Sequence, residues 1–162
     1  MPVTLTQTPP LILVGLKADV ALNPNQTQAL WQRFGPWREK IENRANSNLY
    51  GVDFYPTNYF DAFNPEVIFK KWAAVAVQQK PKILPVPLEV LEVEPALYAE
   101  FQHKGPASAV GKTYNHILSQ WLPQSKYQLR ALPHIAVMPA NYQPADVNAQ
   151  EKIWIPLKET SV

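Results

Sequence analysis

The residues that could carry catalytic or metal chemistry are few and far apart. His103, His116 and His134 have no spacing typical of a metal site, and cysteine is absent, which excludes thiol catalysis, thiolate ligands and disulfides. The five glycines do not form a phosphate-binding loop, and neither Ser108 nor Ser119 lies in a nucleophile elbow. We therefore predict no metal and no cofactor, and we expect structural or surface roles for the three histidines.

The sequence is rich in aromatic side chains, which could bind an organic ligand. It contains 5 Trp, 7 Tyr and 6 Phe, and a cleft lined by such residues suits a flat or cationic organic ligand. In the segment Lys152 to Ile155, strand alternation places Lys152 and Trp154 on one face and the two isoleucines on the other. One face is thus predicted to be core and the other the wall of a pocket. The alternative is that several tryptophans simply fill the core, namely Trp31, Trp37, Trp72 and Trp121.

Composition limits the class of partner. The 15 basic and 13 acidic residues give a net charge of +2 and are spread along the chain without a basic stripe, so no direct nucleic-acid partner is expected. The N-terminus lacks a targeting pattern, and the longest apolar runs, such as Leu11 to Leu16, are too short to cross a membrane. We predict a cytoplasmic protein that forms one domain over residues 1–162.

The first half of the chain is predicted to form a strand, a helix and two strands. Leu11 to Ala18 is apolar and strand-like, and apolar residues recur at helical spacing from Thr27 to Asn43, where Gly35-Pro36 should kink or divide the helix. Residues 49–55 and 69–77 favour strands on either side of a long loop that contains Tyr59, Phe60 and Phe63.

The second half repeats this order. Leu88 to His103 is predicted to be one long strand or a bent pair, followed by a helix from Ser108 to Leu122 and by strands at Pro133 to Met138 and Lys152 to Leu157. The predicted fold class is α+β, with a tandem βαββ pseudo-repeat whose halves span about residues 8–80 and 86–158. We expect a pseudo-twofold antiparallel sheet with both main helices on one face and a ligand cleft on the other.

Five stretches match one known family in order and over nearly the whole chain. They are LWQRFGPWREKIENR (30–44), YFDAFNPEVIFKKWAAVAV (59–77), LYAEFQHKGPAS (97–108), YNHILSQWLPQSKYQL (114–129) and KIWIPLK (152–158). On these stretches the chain resembles the stand-alone gyrase-inhibitor-like (GyrI-like) proteins, whose fold also serves as the effector-binding domain of AraC/XylS-type transcription regulators. The resemblance implies two βαββ units around a hydrophobic cleft for a small organic ligand, often a cation.

The resemblance also indicates where acidic pocket residues are expected. Relatives carry a glutamate at two positions that hold Ala136 and Lys152 here. A lysine in the cleft would favour an anionic or carbonyl-bearing ligand, because an unpaired buried charge is unfavourable. Alternatively, Lys152 extends into solvent and pairs with Glu151 or Glu100. Glu100 is then either a relocated pocket acid or an exposed strand residue.

Strand parity and family position together predict the ligand-binding residues. They are Tyr55, Trp72, Tyr98, Glu100, Ala136, Met138, Lys152 and Trp154, and no catalytic residue is assigned.

Three functional hypotheses follow. The first is a binding module without a DNA-binding region that senses or sequesters an amphipathic or aromatic small molecule. The second is a hydrolase of electrophilic cyclopropane-type compounds, an activity reported for some relatives that is less expected with Ala136 and Lys152 at the acid positions. The third is an inhibitor that acts by binding a protein partner, such as a regulator, gyrase or a second copy of the chain.

Overall fold

The computed structural model describes residues 2–160, which form an α+β fold. In this range the elements are β1 (Val3–Gln7), β2 (Leu11–Val20), α1 (Thr27–Arg38), β3 (Leu49–Phe54), β4 (Phe69–Ala76), β5 (Glu89–Val93), β6 (Leu97–Lys104), α2 (Val110–His116), α3 (Leu122–Gln124), β7 (Tyr127–Leu129), β8 (His134–Met138) and β9 (Gln150–Glu159). A 3-10 turn precedes α2, and a π-helical stretch, Ile117–Trp121, joins α2 to α3 into one second helix.

The strands form one antiparallel sheet in the order β1-β6-β9-β8-β3-β4-β2-β5, with β7 paired to β9. Each predicted half contributes three neighbouring strands, β3-β4-β2 in the first and β8-β9-β6 in the second, and the two sets meet where β3 pairs with β8. The α+β class is confirmed. The pseudo-twofold repeat agrees with this strand order and stays a prediction.

Two short connections force the sheet to curl. Residues 8–10 join β1 to β2, and residues 94–96 join β5 to β6, although each pair of strands lies six positions apart in the sheet. In a flat sheet six intervals span roughly 29 Å, whereas four residue steps reach roughly 14 Å at most. The sheet must therefore bend until its two ends approach each other.

The two connections are bonded to each other where they cross. The Thr8 backbone N–H donates to the Ala96 carbonyl at 2.8 Å, and the Ala96 N–H donates to the Thr8 hydroxyl oxygen at 3.1 Å. Both residues are buried. These bonds satisfy polar backbone groups that would otherwise be stranded in an apolar interior.

The sheet buries apolar residues on both faces. Its inner face holds a cluster drawn from strands far apart in the sheet, including Leu13 of β2, Trp72 of β4 and Tyr98 of β6. On the outer face, α1 covers β2 and β4, with Leu30 and Phe34 buried against them. The second helix covers β6 and β9, where Ile117 packs on Phe101 and the two isoleucines of the Lys152 to Ile155 segment.

Several element boundaries differ from the predicted ones. α1 continues through Pro36 and ends at Arg38 instead of Asn43. Because Pro36 lacks the N–H that would donate to the Gln32 carbonyl, it weakens the last turn, and the helix ends two residues later. The segment from Leu88 to His103 forms the bent pair of strands, β5 and β6. The residues before Leu11 contain β1, a strand that was not predicted from the sequence. Within residues 2–160, none of the helices is long and apolar enough to cross a membrane.

We expect Thr8→Val to lower the free energy of unfolding by about 1–3 kcal/mol, because the isosteric side chain leaves the buried N–H of Ala96 without an acceptor. Urea denaturation measures this loss. The matched control is Thr6→Val on exposed β1, for which a change below about 0.5 kcal/mol is expected. Equal effects of the two substitutions would contradict a structural role for the crossing.

Candidate functional site between the helices

The outer face of the two central strands, β3 and β8, lies between the helices. Gly51 of β3 and Ala136 of β8 are cross-strand partners there. A Cβ atom built on Gly51 would contact the Trp31 ring of α1 at 3.7 Å and Ala136 at 3.8 Å. We call this region the interhelical groove, with Gly51 and Ala136 as its floor, Trp31 as one wall and Tyr114 of α2 as the other.

A row of polar side chains crosses one end of the groove. Lys71, Asp53 and His134 are direct neighbours on β4, β3 and β8. The Lys71 ammonium lies 2.8 Å from the Asp53 carboxylate, and the two side chains are only 12% and 13% exposed. The Tyr55 hydroxyl donates to the other Asp53 oxygen at 3.2 Å. The carboxylate of Asp53 is thus neutralised and doubly hydrogen-bonded, as a buried charge requires.

His134 continues this row as a neutral group. Its Nδ1 atom lies 2.9 Å from the Tyr114 hydroxyl, with which it shares a hydrogen bond. Burial lowers the pKa of His134 to about 3, so the ring is uncharged at neutral pH. Burial also raises the pKa of Tyr55 and Tyr114 well above the usual value, which keeps both hydroxyls protonated.

Glu151 of β9 supplies a second buried carboxyl group at the other end of the groove. The Tyr142 hydroxyl donates to it at 3.2 Å, and its cross-strand neighbour on β6 is His103. Burial raises the pKa of Glu151, while Tyr142, His103 and Lys71 act in the opposite direction. Within residues 2–160, Glu151 forms no ion pair with a lysine or arginine. It is therefore the acid of this groove whose charge is open to a ligand.

His103 is occupied by structural contacts. Its Nδ1 atom lies 2.7 Å from the Thr113 hydroxyl, and its Nε2 atom lies 3.3 Å from the Pro106 carbonyl oxygen. These contacts tie the end of β6 to the start of the second helix. In the described part of the chain, no group of three or more His, Asp or Glu side chains is arranged to hold a metal ion.

Aromatic rings from residues 55–68, the loop between β3 and β4, close over the polar row. Tyr55 and Tyr59 stack at 4.7 Å between ring centroids, and both pack on Phe69. Phe60 lies nearly parallel to the His134 ring at 5.5 Å and to the Tyr114 ring at 6.1 Å. At this end of the groove the polar row thus lies under an aromatic cover.

The structure divides the predicted ligand-binding residues between the two faces of the sheet. Tyr55, Ala136 and Met138 belong to the outer face: Tyr55 bonds Asp53, Ala136 forms the groove floor, and Met138 is buried beneath α1. The other five predicted residues lie together on the inner face, namely Trp72, Tyr98, Glu100, Lys152 and Trp154.

The inner-face residues satisfy one another. The Trp154 indole N–H donates to Glu100 at 2.9 Å, and the Lys152 ammonium lies 3.8 Å from the same carboxylate oxygen. The Tyr98 ring packs 6.1 Å from that of Trp154, and its hydroxyl donates to the Pro133 carbonyl at 2.8 Å. Lys152 therefore adopts the predicted alternative in which it extends outward and pairs with Glu100.

Sequence analysis missed the residues that carry the polar part of the groove. Asp53 and Lys71 lie within strands that are otherwise largely apolar, and a charged residue on a buried face was the available signal. Glu151 was considered only as a partner for Lys152, and His134 only as a structural histidine. Tyr114 packs at the edge of the core cluster beneath the second helix, so its sequence pattern is that of a core residue.

Comparison with known proteins identifies relatives of this fold. A model of the GyrI-like small molecule binding domain matches residues 1–158. Among solved structures, SAV2435 bound to tetraphenylphosphonium is similar, with a TM-score of 0.71 and 16% identity over 98% of this chain and 94% of that chain. The EcmrR C-terminal domain has a TM-score of 0.72 and 11% identity, with 98% of each chain covered.

A third similar structure is that of a hydrolase encoded by lin2189 from Listeria innocua. Its TM-score is 0.57 at 12% identity, over 96% of this chain and 91% of that one. No curated protein sequence gives a significant match. At such low identities the solved structures establish a shared fold, and the chemistry of this groove depends on its own residues.

We expect Lys71→Met to lower the free energy of unfolding by about 3–5 kcal/mol, because it leaves the Asp53 carboxylate buried and unpaired. The adjacent Lys70 is the matched control, since its pair with Asp19 is 46% and 66% exposed. Lys70→Met should cost less than about 1 kcal/mol. Similar losses in denaturant titrations of both variants would contradict the buried ion pair.

Acidification should destabilise the protein through His134. Because its folded pKa of about 3 lies below the value near 6.5 in an unfolded chain, only the unfolded state gains this proton as the pH falls below 6.5. The linked loss between pH 7.5 and 4.5 is roughly 2–3 kcal/mol. His134→Gln should remove this part of the pH dependence of unfolding, whereas His116→Gln should retain it. An unchanged slope in His134→Gln would show that another group is responsible.

Proposed function

Because the chain belongs to the family of GyrI-like small-molecule-binding domains, we propose that it binds an amphipathic small molecule with an aromatic part in the interhelical groove. The observation that carries this proposal is Glu151, a buried carboxyl group that has a hydroxyl partner and, within residues 2–160, no lysine or arginine partner, and whose charge acts on Tyr114, one wall of the groove. Buried ionisable groups with shifted pKa values beside apolar walls are typical of ligand sites.

The charges in the groove favour a cationic or hydrogen-bond-donating ligand. Lys71 neutralises Asp53, and His134 is uncharged, so the ionised form of Glu151 leaves the groove with one negative charge. A bound cation would offset the unfavourable burial of that charge, and the surrounding rings would add cation–π attraction. Tetraphenylphosphonium, the ligand of SAV2435, is an aromatic cation, which agrees with this class.

The inner-face cluster offers less for a ligand. Glu100 already accepts the indole N–H of Trp154 and pairs with Lys152, and Tyr98 is fully buried with its hydroxyl bonded. A ligand there would have to break contacts that the strands make among themselves. The five predicted residues on this face therefore form the second candidate location, and the experiment below distinguishes it from the groove.

The test is a thermal-shift screen of the purified protein against lipophilic aromatic cations and lipophilic aromatic anions. We expect cations to stabilise the protein, since a ligand at 100 times its dissociation constant adds about 2.7 kcal/mol. Tyr114→Ala should abolish the shift, and Glu151→Gln should weaken it for cations, because these changes remove a wall and the open charge. Trp154→Leu on the inner face should leave it unchanged.

Two outcomes would contradict this assignment. Loss of the shift in Trp154→Leu together with its retention in Tyr114→Ala would place the ligand on the inner face. A response to anions alone that Lys152→Ala removes would reverse the charge preference. Absence of any shift would argue against small-molecule binding.

A second candidate function is hydrolysis of electrophilic cyclopropane-type compounds. It is favoured by Glu151, because a carboxyl group with a raised pKa beside a tyrosine hydroxyl can exchange a proton with a reacting atom. Product formation that Glu151→Gln abolishes would support it. Failure to detect a product between pH 5 and pH 9 would leave binding as the function.

A further inference from the structure

Phe60 packs directly on two residues of the candidate site. Its ring lies flat against two groups of the candidate site, at 5.5 Å and 28° to His134 and at 6.1 Å and 19° to Tyr114, and edge-on to Tyr55 at 4.9 Å. The rings of His134 and Tyr114 are themselves nearly parallel, at 19°. Phe60 thus lies above the polar row, nearly parallel to both rings. We call the space that its ring occupies beside His134 and Tyr114 the slot.

Phe60 lies in the first half of the loop, near its tip, where the backbone hydrogen bonds are local. They run from the Tyr59 N–H to the Pro56 carbonyl at 3.1 Å and from the Asp61 N–H to the Asn58 carbonyl at 3.2 Å, whereas the second half of the loop is tied to the fold by the Asn23 N–H, which donates to the Pro65 carbonyl at 2.9 Å. The next three residues after Phe60 are exposed. The tip of the loop is therefore held down mainly by the side chains of Tyr59 and Phe60, and a region with so few contacts opens at low free energy.

Tyr59 has an unsatisfied hydrogen-bonding group when the loop is closed. Its side chain is buried, and within residues 2–160 its hydroxyl has no hydrogen-bond partner. A buried hydroxyl without a partner loses bonds that water supplies when the loop is open. The closed arrangement thus combines a favourable ring contact with an unfavourable polar one, which keeps the open state accessible.

From these contacts we infer that Phe60 is a built-in competitor for the ligand, and that the ligand places a planar aromatic ring where the Phe60 ring now lies. The inference rests on the proposed function, because it concerns the same groove. It narrows the ligand class to planar aromatic compounds, because a flat molecule can lie parallel to the rings of both His134 and Tyr114. It also makes loop opening a step that precedes binding.

Competition of this kind has a definite effect on affinity. When only the open state binds, the apparent dissociation constant is the intrinsic one divided by the fraction of open loop. Removing the Phe60 ring frees the slot, so the apparent affinity should rise. Removing the Tyr59 hydroxyl relieves the unfavourable contact of the closed loop, so the affinity should fall. The two neighbouring substitutions should act in opposite directions.

The experiment is a fluorescence titration with acridine orange, a planar aromatic cation, with tetraphenylphosphonium as the non-planar cationic probe. For Phe60→Ala we expect a dissociation constant for acridine orange roughly tenfold lower than that of the unmodified chain, with faster association in stopped-flow mixing. Tyr59→Phe should raise it about threefold. The matched control is Ile68→Ala, an exposed apolar residue of the same loop, which should change neither constant.

Each other outcome identifies what fails. Weaker or unchanged binding of acridine orange by Phe60→Ala would overturn the inference, because Phe60 would then be a ligand contact or a bystander. An equal gain for tetraphenylphosphonium would overturn the restriction to wholly planar compounds, because one of its phenyl rings could then take the place of the Phe60 ring. Failure of both probes to bind any of the proteins would instead count against the proposed function. If Phe60→Ala does not fold, Tyr59→Phe tests the inference, and a dissociation constant for acridine orange that does not rise in this variant would overturn it.

Discussion

The curl of the sheet is the constraint on which the other features depend. Two connections of three residues each hold strands together that a flat sheet would separate by twice their reach. Once the sheet bends, its inner face closes on its own side chains and needs no second layer. The helices are left to the outer face, one over each end, and the interhelical groove lies between them. The groove thus follows from the shortness of two connections, residues 8–10 and 94–96.

The two buried acids of the groove have different partners: Asp53 pairs with the Lys71 ammonium, and Glu151 accepts a hydrogen bond from the Tyr142 hydroxyl. A fully paired site would give a ligand nothing to neutralise, and an unpaired Asp53 would destabilise the fold. Lys71 resolves the second problem by sitting on the adjacent strand, in direct register with Asp53. Glu151 lies at the other end of the groove, where Tyr142 supplies a hydrogen bond but no charge. The stability of the fold thus depends on Asp53, and the proposed binding on Glu151.

The fold could be predicted from sequence because its periodicities are local. Alternation and helical spacing identified the main strands and both helices, and alternation correctly separated Lys152 and Trp154 from Ile153 and Ile155. The site could not be predicted in the same way, because parity says which residues share a face and not which face the helices cover. Asp53 and His134 are 81 positions apart in sequence and become neighbours only through the register of β3 with β8. Glu151 lies one position before the expected acid, which places it on the opposite face from Lys152.

The strand order also has a consequence for how the chain folds. β1 precedes the first predicted half but pairs with β6 of the second, and β5, at the start of the second predicted half, pairs with β2 of the first. Each predicted half thus lends an edge strand to the other, as swapped dimers do between two copies, but here within one chain. Contacts such as that between Thr8 and Ala96 join residues 88 positions apart. Topologies dominated by such distant pairings fold slowly.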